Sequence, residues 1–221
     1  MSIKQNLLEI RKHIPENVKL VCVSKFHPAE AVQEAYDCGE RVFGESRVQE
    51  LSQKQPVLPA DIHWHFIGHL QTNKIKYIID FVELIHGVDS FKLLKEIDFQ
   101  AKKAGRRVNC LLQMHIAQEE TKFGFSADEV KKMLSSDEFK RLQNVEIAGL
   151  MGMATFTDNQ HQVRSEFNAL KMFFEELKKG YFAENESFNE ISMGMSDDYQ
   201  LAIEVGSTMV RIGSKIFGNR N

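Results

Sequence analysis

Alternation between short apolar runs and helical patterns is the feature that most constrains the fold of this 221-residue chain. The first run, VKLVCVS, is rich in β-branched residues and leads into Pro28, which suits a first helical turn. The same order repeats along the chain, so that each predicted strand is followed by a predicted helix. We predict strands at residues 18–24, 41–44, 61–68, 82–89, 107–116, 145–155, 188–194 and 208–213.

Eight strands that alternate with helices predict a closed parallel barrel. The strands are near-continuous in apolar residues, as expected for strands buried on both faces, and such a (β/α)8 TIM barrel typically has about 250 residues. A doubly wound open sheet is the alternative, although no glycine-rich phosphate motif follows the first strand. We therefore expect a single α/β domain over residues 1–221, with an extra N-terminal helix at about 2–13 and the barrel at about 18–218.

The charge balance argues against nucleic acid and membrane surfaces as partners. The formal net charge is −3, so no global positive field attracts phosphate backbones or anionic lipids. The N-terminal segment lacks the apolar core of a signal peptide, and no apolar run reaches membrane-spanning length. Three cysteines at unrelated spacings, Cys22, Cys38 and Cys110, indicate reduced thiols rather than disulfides. These features predict a cytoplasmic protein.

Lys25 lies where the first predicted strand ends, and the active face of a parallel barrel is at the carboxyl ends of its strands. Beside apolar surface an ammonium group loses solvation, which favours the neutral amine that attacks an aldehyde carbon to form a Schiff base. The alternative interpretation is a solvated lysine in a strand-to-helix loop, since loop lysines are mostly exposed. Its position alone does not choose between the two.

Glycines and serines after the last two predicted strands indicate a phosphate site. Such barrels commonly hold a phosphate at these loops, on backbone N–H groups beside a helix start. The loops read SMGMS and RIGS, in which Gly194 and Gly213 let the backbone approach an anion. Ser196 and Ser214 add hydroxyl donors. Ser196 is also predicted to cap the helix that follows it.

Arg211 lies inside the last apolar run, where a guanidinium cannot lose its proton and needs an acceptor. One interpretation is that it lines the cavity and meets a ring nitrogen of a bound cofactor. The other is an ion pair with a strand carboxylate such as Glu83 or Glu190. Its position alone favours neither, but the combination with Lys25 favours the cofactor.

The segment HWHFIGH places His63 and His65 on one face of a strand, with His69 beyond it. Histidines at this spacing are sometimes metal ligands, but no third ligand follows at a matching spacing. We predict that they line the cavity or the core, without a metal. The segment EETKFGF, residues 119–125, is either a rim or lid of the site or a plain surface turn.

Several of these segments together resemble the YggS/PROSC family of pyridoxal 5'-phosphate (PLP) homeostasis proteins. In order, over about residues 21–218, they read VSK, FGESRVQE, WHFIGHLQTNK, TKFGF, GLMGMAT, SMGMSDD and GSTMVRIGSKIFG. The resemblance implies a barrel of the alanine-racemase N-terminal type, with PLP bound as an aldimine on Lys25. It also implies a phosphate held at SMGMS and RIGS and a pyridine nitrogen facing Arg211. The predicted cofactor-binding residues are Lys25, Ser46, His65, Gly194, Ser196, Arg211, Gly213 and Ser214.

Two positions depart from the family pattern. The usual motif FGEN reads FGES here, with Ser46 in the last position, and His27 stands where many bacterial members have a second lysine. Roles that the family assigns to the asparagine or to that lysine therefore do not carry over directly.

The predicted site favours a carrier over an enzyme. An arginine beside the ring nitrogen weakens the electron withdrawal that most PLP chemistry requires. Racemases resembling this barrel add a tyrosine from a second domain, which we expect to be absent, and the four tyrosines here fall in or beside predicted helices. We predict a monomer that buffers or delivers PLP, with PLP-dependent apo-enzymes as recipients. The alternatives are a residual amino-acid racemase and a Schiff-base aldolase acting on a sugar phosphate.

Overall fold

A computed structural model gives the fold of the chain and describes residues 2–117 and 124–218. Within these residues, eight parallel strands are hydrogen-bonded in chain order and close into a barrel. The strands are β1 (Lys19–Val23), β2 (Val42–Glu45), β3 (His63–Phe66), β4 (Leu84–Val88), β5 (Val108–Gln113), β6 (Val145–Met151), β7 (Glu190–Ser192) and β8 (Met209–Ile212).

Helices follow the strands and cover the outside of the barrel. They are α1 (Ile3–Arg11), α2 (Ala29–Asp37), α3 (Val48–Lys54), α4 (Phe91–Lys103), α5 (Ala127–Leu134), α6 (Asp137–Lys140), α7 (Gln160–Gly180), α8 (Tyr199–Val205) and α9 (Ser214–Phe217). Two short 3-10 helices, Gln55–Val57 and Thr72–Tyr77, extend the connections after β2 and β3. None of the helices in the described ranges combines the length and apolar character needed to cross a bilayer.

The predicted closed barrel is confirmed. The alternative prediction of a doubly wound open sheet is wrong, because β8 pairs with β1. The strands are shorter than the apolar runs that predicted them. Residues 188–194, for example, contain only the three-residue strand β7. Phe188 and Met193, on either side of β7, are fully buried without being part of it. Burial therefore extends beyond the hydrogen-bonded ladder, and an apolar run overstates the length of the strand.

Apolar side chains fill two regions of the molecule. The larger lies between the strands and the helices around them, and includes Phe43, Phe66 and Phe167. The smaller lies inside the barrel and consists of Val21, Leu84, Leu111, Ala148, Met151 and Met209. A barrel of this size is a packed core rather than a pore.

The N-terminal helix α1 is the predicted extra element. Ser2 caps it in a capping box with Gln5, and Leu7 and Ile10 bury its apolar face. The side chain of Asn6 donates a hydrogen bond of 2.8 Å to the carbonyl of Ile216 in α9. The helix therefore supports the last turn of the chain, which follows directly from the carboxyl end of β8.

Candidate cofactor site

Lys25 lies two residues beyond the end of β1, at the carboxyl-end mouth of the barrel, and is half-buried. The backbone on each side of it is held by hydrogen bonds. The Ser24 N–H donates to the carbonyl of Gly44 at 3.1 Å, and the Phe26 N–H donates to Glu50 Oε2 at 2.8 Å. Phe26 has a positive φ of 68°, which non-glycine residues adopt rarely. The surrounding contacts therefore fix the path of the chain through Lys25.

Three buried groups support this turn, and we call Ser24, Glu45 and Lys54 the clamp. The ammonium of Lys54 lies 2.6 Å from Glu45 Oε1 and 2.9 Å from the carbonyl of Ser24. The Ser24 hydroxyl donates to the same Glu45 oxygen at 2.7 Å. Burial raises the pKa of Glu45, and the Lys54 charge opposes the shift. The clamp ties the residue before Lys25 to β2 and α3.

Sequence reasoning missed the clamp. A signal was present, since Glu45 is an acidic residue at the end of a buried strand, and buried charges are normally paired. The sequence did not indicate the partner. Lys54 lies at the end of α3 and reaches back over the strand, which only the packing of that helix determines.

Arg211 projects from β8 into the barrel, near the carboxyl ends of β6 and β7, and is 5% exposed. Its Nη1 donates to the carbonyl of Ser192 at 2.8 Å and to the Ser192 hydroxyl at 2.5 Å. Its Nη2 donates to the carbonyl of Gly152 at 3.2 Å. These acceptors are neutral. Burial lowers the pKa of Arg211 to about 10, so the group remains a cation at neutral pH.

The ion pair considered for Arg211 is not formed. Glu190 pairs with Lys19, and Glu83 pairs with His63, both at the amino-terminal end of the barrel. Among the described residues, no carboxylate lies within ion-pair distance of the Arg211 guanidinium. The charge of Asp198 partly opposes the lowering of the Arg211 pKa from beyond that distance, but a buried cation without a directly paired carboxylate is still costly. The carboxyl end of the barrel is therefore suited to an anion or an acceptor that the chain itself does not supply.

The loops that follow β7 and β8 are in contact with each other and with the end of β1. Gly194 has a φ of 93°, and a Cβ at this position would lie 2.6 Å from the Cβ of Ala202. The Gly213 N–H donates to the Ser196 hydroxyl at 3.3 Å. A Cβ on Gly213 would lie 3.0 Å from the carbonyl of Val23. Gly194 thus permits close packing against α8, and Gly213 permits close approach to the end of β1, the strand that leads to Lys25.

The helix predicted to start at Ser196 begins later, and this part of the prediction is wrong. Helix α8 starts at Tyr199 with Asp198 as its N-cap residue. The Asp198 carboxylate accepts the Met195 N–H at 2.6 Å, while the Ser196 hydroxyl joins the two loops instead. Ser214 is the first residue of α9 and is exposed.

Ser46 and His65 lie in different layers of the barrel. Ser46 is half-buried directly after β2, two residues before α3 begins at Val48. A Cβ on Gly68 would lie 2.3 Å from the Ser46 carbonyl, so the loops after β2 and β3 are tightly packed. His65 is in the interior, with its Nδ1 3.0 Å from Nε2 of His86. It therefore lies deeper than the loops that surround Lys25.

The three histidines of HWHFIGH do not converge. His63 pairs with Glu83, and Nδ1 of His69 lies 2.9 Å from Asp89 Oδ2. Across residues 2–117 and 124–218, no group of three or more His, Cys, Asp or Glu side chains is arranged to hold a metal ion. Most of the predicted rim, including residues 119–122, lies outside the described residues.

Known proteins share this barrel over its whole length. The family described as "Alanine racemase, N-terminal domain" matches residues 1–221. An alanine racemase from Clostridium difficile has the same fold, with a TM-score of 0.78 at 16% identity, over 99% of this chain and 60% of the racemase. The fold and the family match therefore define the class as an alanine-racemase N-terminal-type barrel.

More similar relatives define the family within that class. The pyridoxal phosphate homeostasis protein of Aquifex aeolicus is 40% identical over 203 residues, covering 91% of this chain and 87% of the relative. That of Helicobacter pylori strain J99 is 37% identical and covers 97% and 92%. PipY of Synechococcus elongatus, solved with PLP bound, has a TM-score of 0.89 at 35% identity and covers 98% and 100%. The chain belongs to the pyridoxal phosphate homeostasis protein family.

Proposed function

We propose that this chain binds PLP as an aldimine on Lys25 and acts in intracellular PLP homeostasis, by buffering or delivery, without evident catalysis. The names of its relatives support the role, and PipY with PLP bound supports the ligand. When bound, PLP supplies an aldehyde for an amine, a pyridine nitrogen and a phosphate dianion. The residues at the carboxyl end of the barrel match these three groups.

The observation that carries the proposal is the buried guanidinium of Arg211, which has no carboxylate of the described residues within ion-pair distance. Its guanidinium meets only neutral acceptors among the described residues, so an acceptor on a ligand improves its environment. An arginine that donates to the ring nitrogen keeps that nitrogen from being protonated, since the arginine cannot give up its own proton readily. This weakens the electron withdrawal needed for amino-acid chemistry and favours a carrier.

The phosphate is assigned to the two loops that meet beside β1. Gly194 and Gly213 let these loops pack closely against neighbouring residues, glycine lets the backbone approach an anion, and the Ser196 and Ser214 hydroxyls are donors. Helix α9 is too short to add a strong dipole, so backbone N–H groups contribute most. Ser46 is assigned to the rim.

The remaining member of the proposed set is His65, whose assignment is indirect. It lies inside the barrel and is connected to Arg211 through His86 and Ser192. Its contribution to the cofactor site is therefore to hold that chain of hydrogen bonds in place.

The test is an absorbance spectrum between 300 and 450 nm, recorded with added PLP before and after borohydride, followed by peptide mapping of the reduced adduct. We expect a yellow chromophore that borohydride bleaches and an adduct on Lys25. Lys25→Ala should remove the chromophore, whereas Lys102→Ala, at an exposed lysine of α4, should retain it. A chromophore that survives Lys25→Ala, or an adduct mapped elsewhere, would overturn the assignment.

Delivery and catalysis are distinguished by two further assays. The PLP-loaded protein should restore activity to a PLP-dependent apo-enzyme, and its turnover of L-amino acids should stay far below the rate of about 1 per second that is ordinary for enzymes. Turnover at that rate would favour a racemase. We further propose a single PLP-binding domain over residues 1–221, monomeric and cytoplasmic. Light scattering tests the monomer, and fractionation of cells tests the location.

A further inference from the structure

A line of hydrogen bonds leads from the proposed cofactor site through the barrel interior. It begins at Arg211, whose Nη1 donates to the Ser192 hydroxyl. The Ser192 oxygen lies 3.0 Å from Nδ1 of His86, and Nε2 of His86 lies 3.0 Å from Nδ1 of His65. All four side chains are buried, with exposures of 5% or less. The line ends at His65, which lies beside the apolar interior residues Leu84, Ala148 and Met209.

The chemistry of its members sets the direction of proton donation along this line. Burial lowers the pKa of His65 to about 3 and that of His86 well below its ordinary value, so each imidazole is neutral and has one N–H. Arg211 can only donate, which leaves the single O–H of Ser192 to donate to His86 Nδ1. His86 then carries its proton on Nε2 and donates to His65 Nδ1. His65 must therefore carry its own proton on Nε2.

The opposite direction leaves a hydrogen without an acceptor. If His86 Nδ1 were the donor, the Ser192 oxygen would receive two hydrogen bonds, and its own O–H would need a third partner. No third partner contacts the Ser192 hydroxyl in the described part of the chain. Buried donors without acceptors are costly, so the first direction is favoured.

His65 also lines a cavity at the amino-terminal end of the barrel. This cavity has a volume of about 460 Å³, and His65 lies in its wall together with Lys19, His63, Glu83, Asn109 and Glu190. Within the described ranges, Nε2 of His65 has no hydrogen-bond partner. Burial is the main cause of the lowered pKa of His65, and the nearby Lys19 and His63 lower it further.

Charges of both signs surround the cavity. Lys19 and Glu190 form an ion pair on β1 and β7, and His63 and Glu83 form another beside β3 and β4, on the opposite side of the barrel. Two carboxylates repel a simple anion, and a lysine repels a simple cation. A small molecule that carries both charges can meet donors at one end and acceptors at the other.

We propose that this cavity is a second ligand site, which binds a small amino-acid zwitterion. The ligand carboxylate accepts from His65 Nε2 and Lys19, and the ligand ammonium group lies against Glu83 or Glu190. The site is at the opposite end of the barrel from Lys25, and its ligand contacts do not involve Lys25. Binding is non-covalent.

The test is calorimetric titration of the full chain with L-alanine, with sodium acetate and ethylammonium chloride as probes of each half of the ligand. The Lys25→Ala chain is titrated in parallel, so that binding at the carboxyl end is separated from binding here. We expect saturable binding of L-alanine to both the parent and Lys25→Ala, and much weaker binding of acetate or ethylammonium. Lys19→Met should lower the affinity for L-alanine by about tenfold or more, as expected for the loss of a charged hydrogen bond. The control Lys12→Met, at an exposed lysine of the N-terminal region, should leave that affinity unchanged.

A second measurement locates the ligand. Nitrogen-15 NMR of the imidazoles should show His65 protonated on Nε2, and that resonance should shift on addition of L-alanine. Absence of saturation up to millimolar L-alanine shows that the cavity holds only water and overturns the proposal. If acetate binds as tightly as L-alanine, the proposal that the site selects a zwitterion is wrong. If L-alanine binds without shifting the His65 resonance, the proposed location is wrong.

Discussion

Removing the ammonium of the clamp should destabilise the protein strongly. In Lys54→Met, the buried carboxylate of Glu45 keeps the Ser24 hydroxyl but loses its charged partner at 2.6 Å. Glu45 is fully buried and Lys54 is 6% exposed, so solvent cannot replace the lost contact. One Glu45 oxygen already has no hydrogen-bond partner among the described residues. The variant therefore leaves a buried charge with a single neutral donor.

The expected cost follows from the burial of the pair. Removing one member of a buried ion pair typically costs about 3–5 kcal/mol. In a chain of this size, each kcal/mol lowers the melting temperature by about 2–4 °C, so we expect a decrease of roughly 6–20 °C. Lys95→Met is the matched control. Its ion pair with Glu138 is exposed, and such pairs contribute about 0–1 kcal/mol.

The loss in free energy of unfolding caused by Lys54→Met should depend on pH. The folded-state pKa of Glu45 is raised above its ordinary value of 4.5, and Lys54 opposes that shift. A carboxyl group with a raised folded-state pKa stabilises the protonated folded state, so stability falls as pH rises from the unfolded pKa through the folded one. Losing Lys54 raises the folded pKa of Glu45 further. The destabilisation should therefore be larger at pH 7 than near pH 4.5.

Urea unfolding of the parent, Lys54→Met, Glu45→Gln and the double variant, at both pH values, checks this reasoning. We expect the double variant to be more stable at pH 7 than Lys54→Met, because it has no buried charge, and to lose the added pH dependence. The interpretation fails if Lys54→Met costs no more than Lys95→Met. It also fails if the cost is the same at both pH values.

Two further predictions concern a glycine and the thiols. Gly194→Ala should lower the free energy of unfolding by about 1–3 kcal/mol more than Gly39→Ala, because both have a positive φ but only Gly194 would also bring a Cβ into contact; equal losses in thermal melts would contradict this. Cys38 is exposed, whereas Cys22 and Cys110 are buried with raised pKa values. A thiol reagent should therefore modify Cys38 alone in the native protein and all three in urea; rapid native modification of Cys22 or Cys110 would contradict the packing.

The sequence by itself determined the order of elements and the closed barrel. Strand and helix periodicities are local, and a chain that alternates them eight times has few ways to bury its apolar runs. The position of Lys25 just after β1, and of Gly194 and Gly213 just after β7 and β8, followed from where those runs end. Since parallel strands share one carboxyl edge, these residues lie at the same end of the barrel.

Only the tertiary structure decided which side chains meet. Arg211 was open to an ion pair with Glu83 or Glu190, but the strand register places those carboxylates at the amino-terminal end and Arg211 near the other. The bond from Lys54 to the carbonyl of Ser24 joins residues 30 positions apart. Contacts across a barrel depend on strand register and on how the helices pack, which local patterns do not contain.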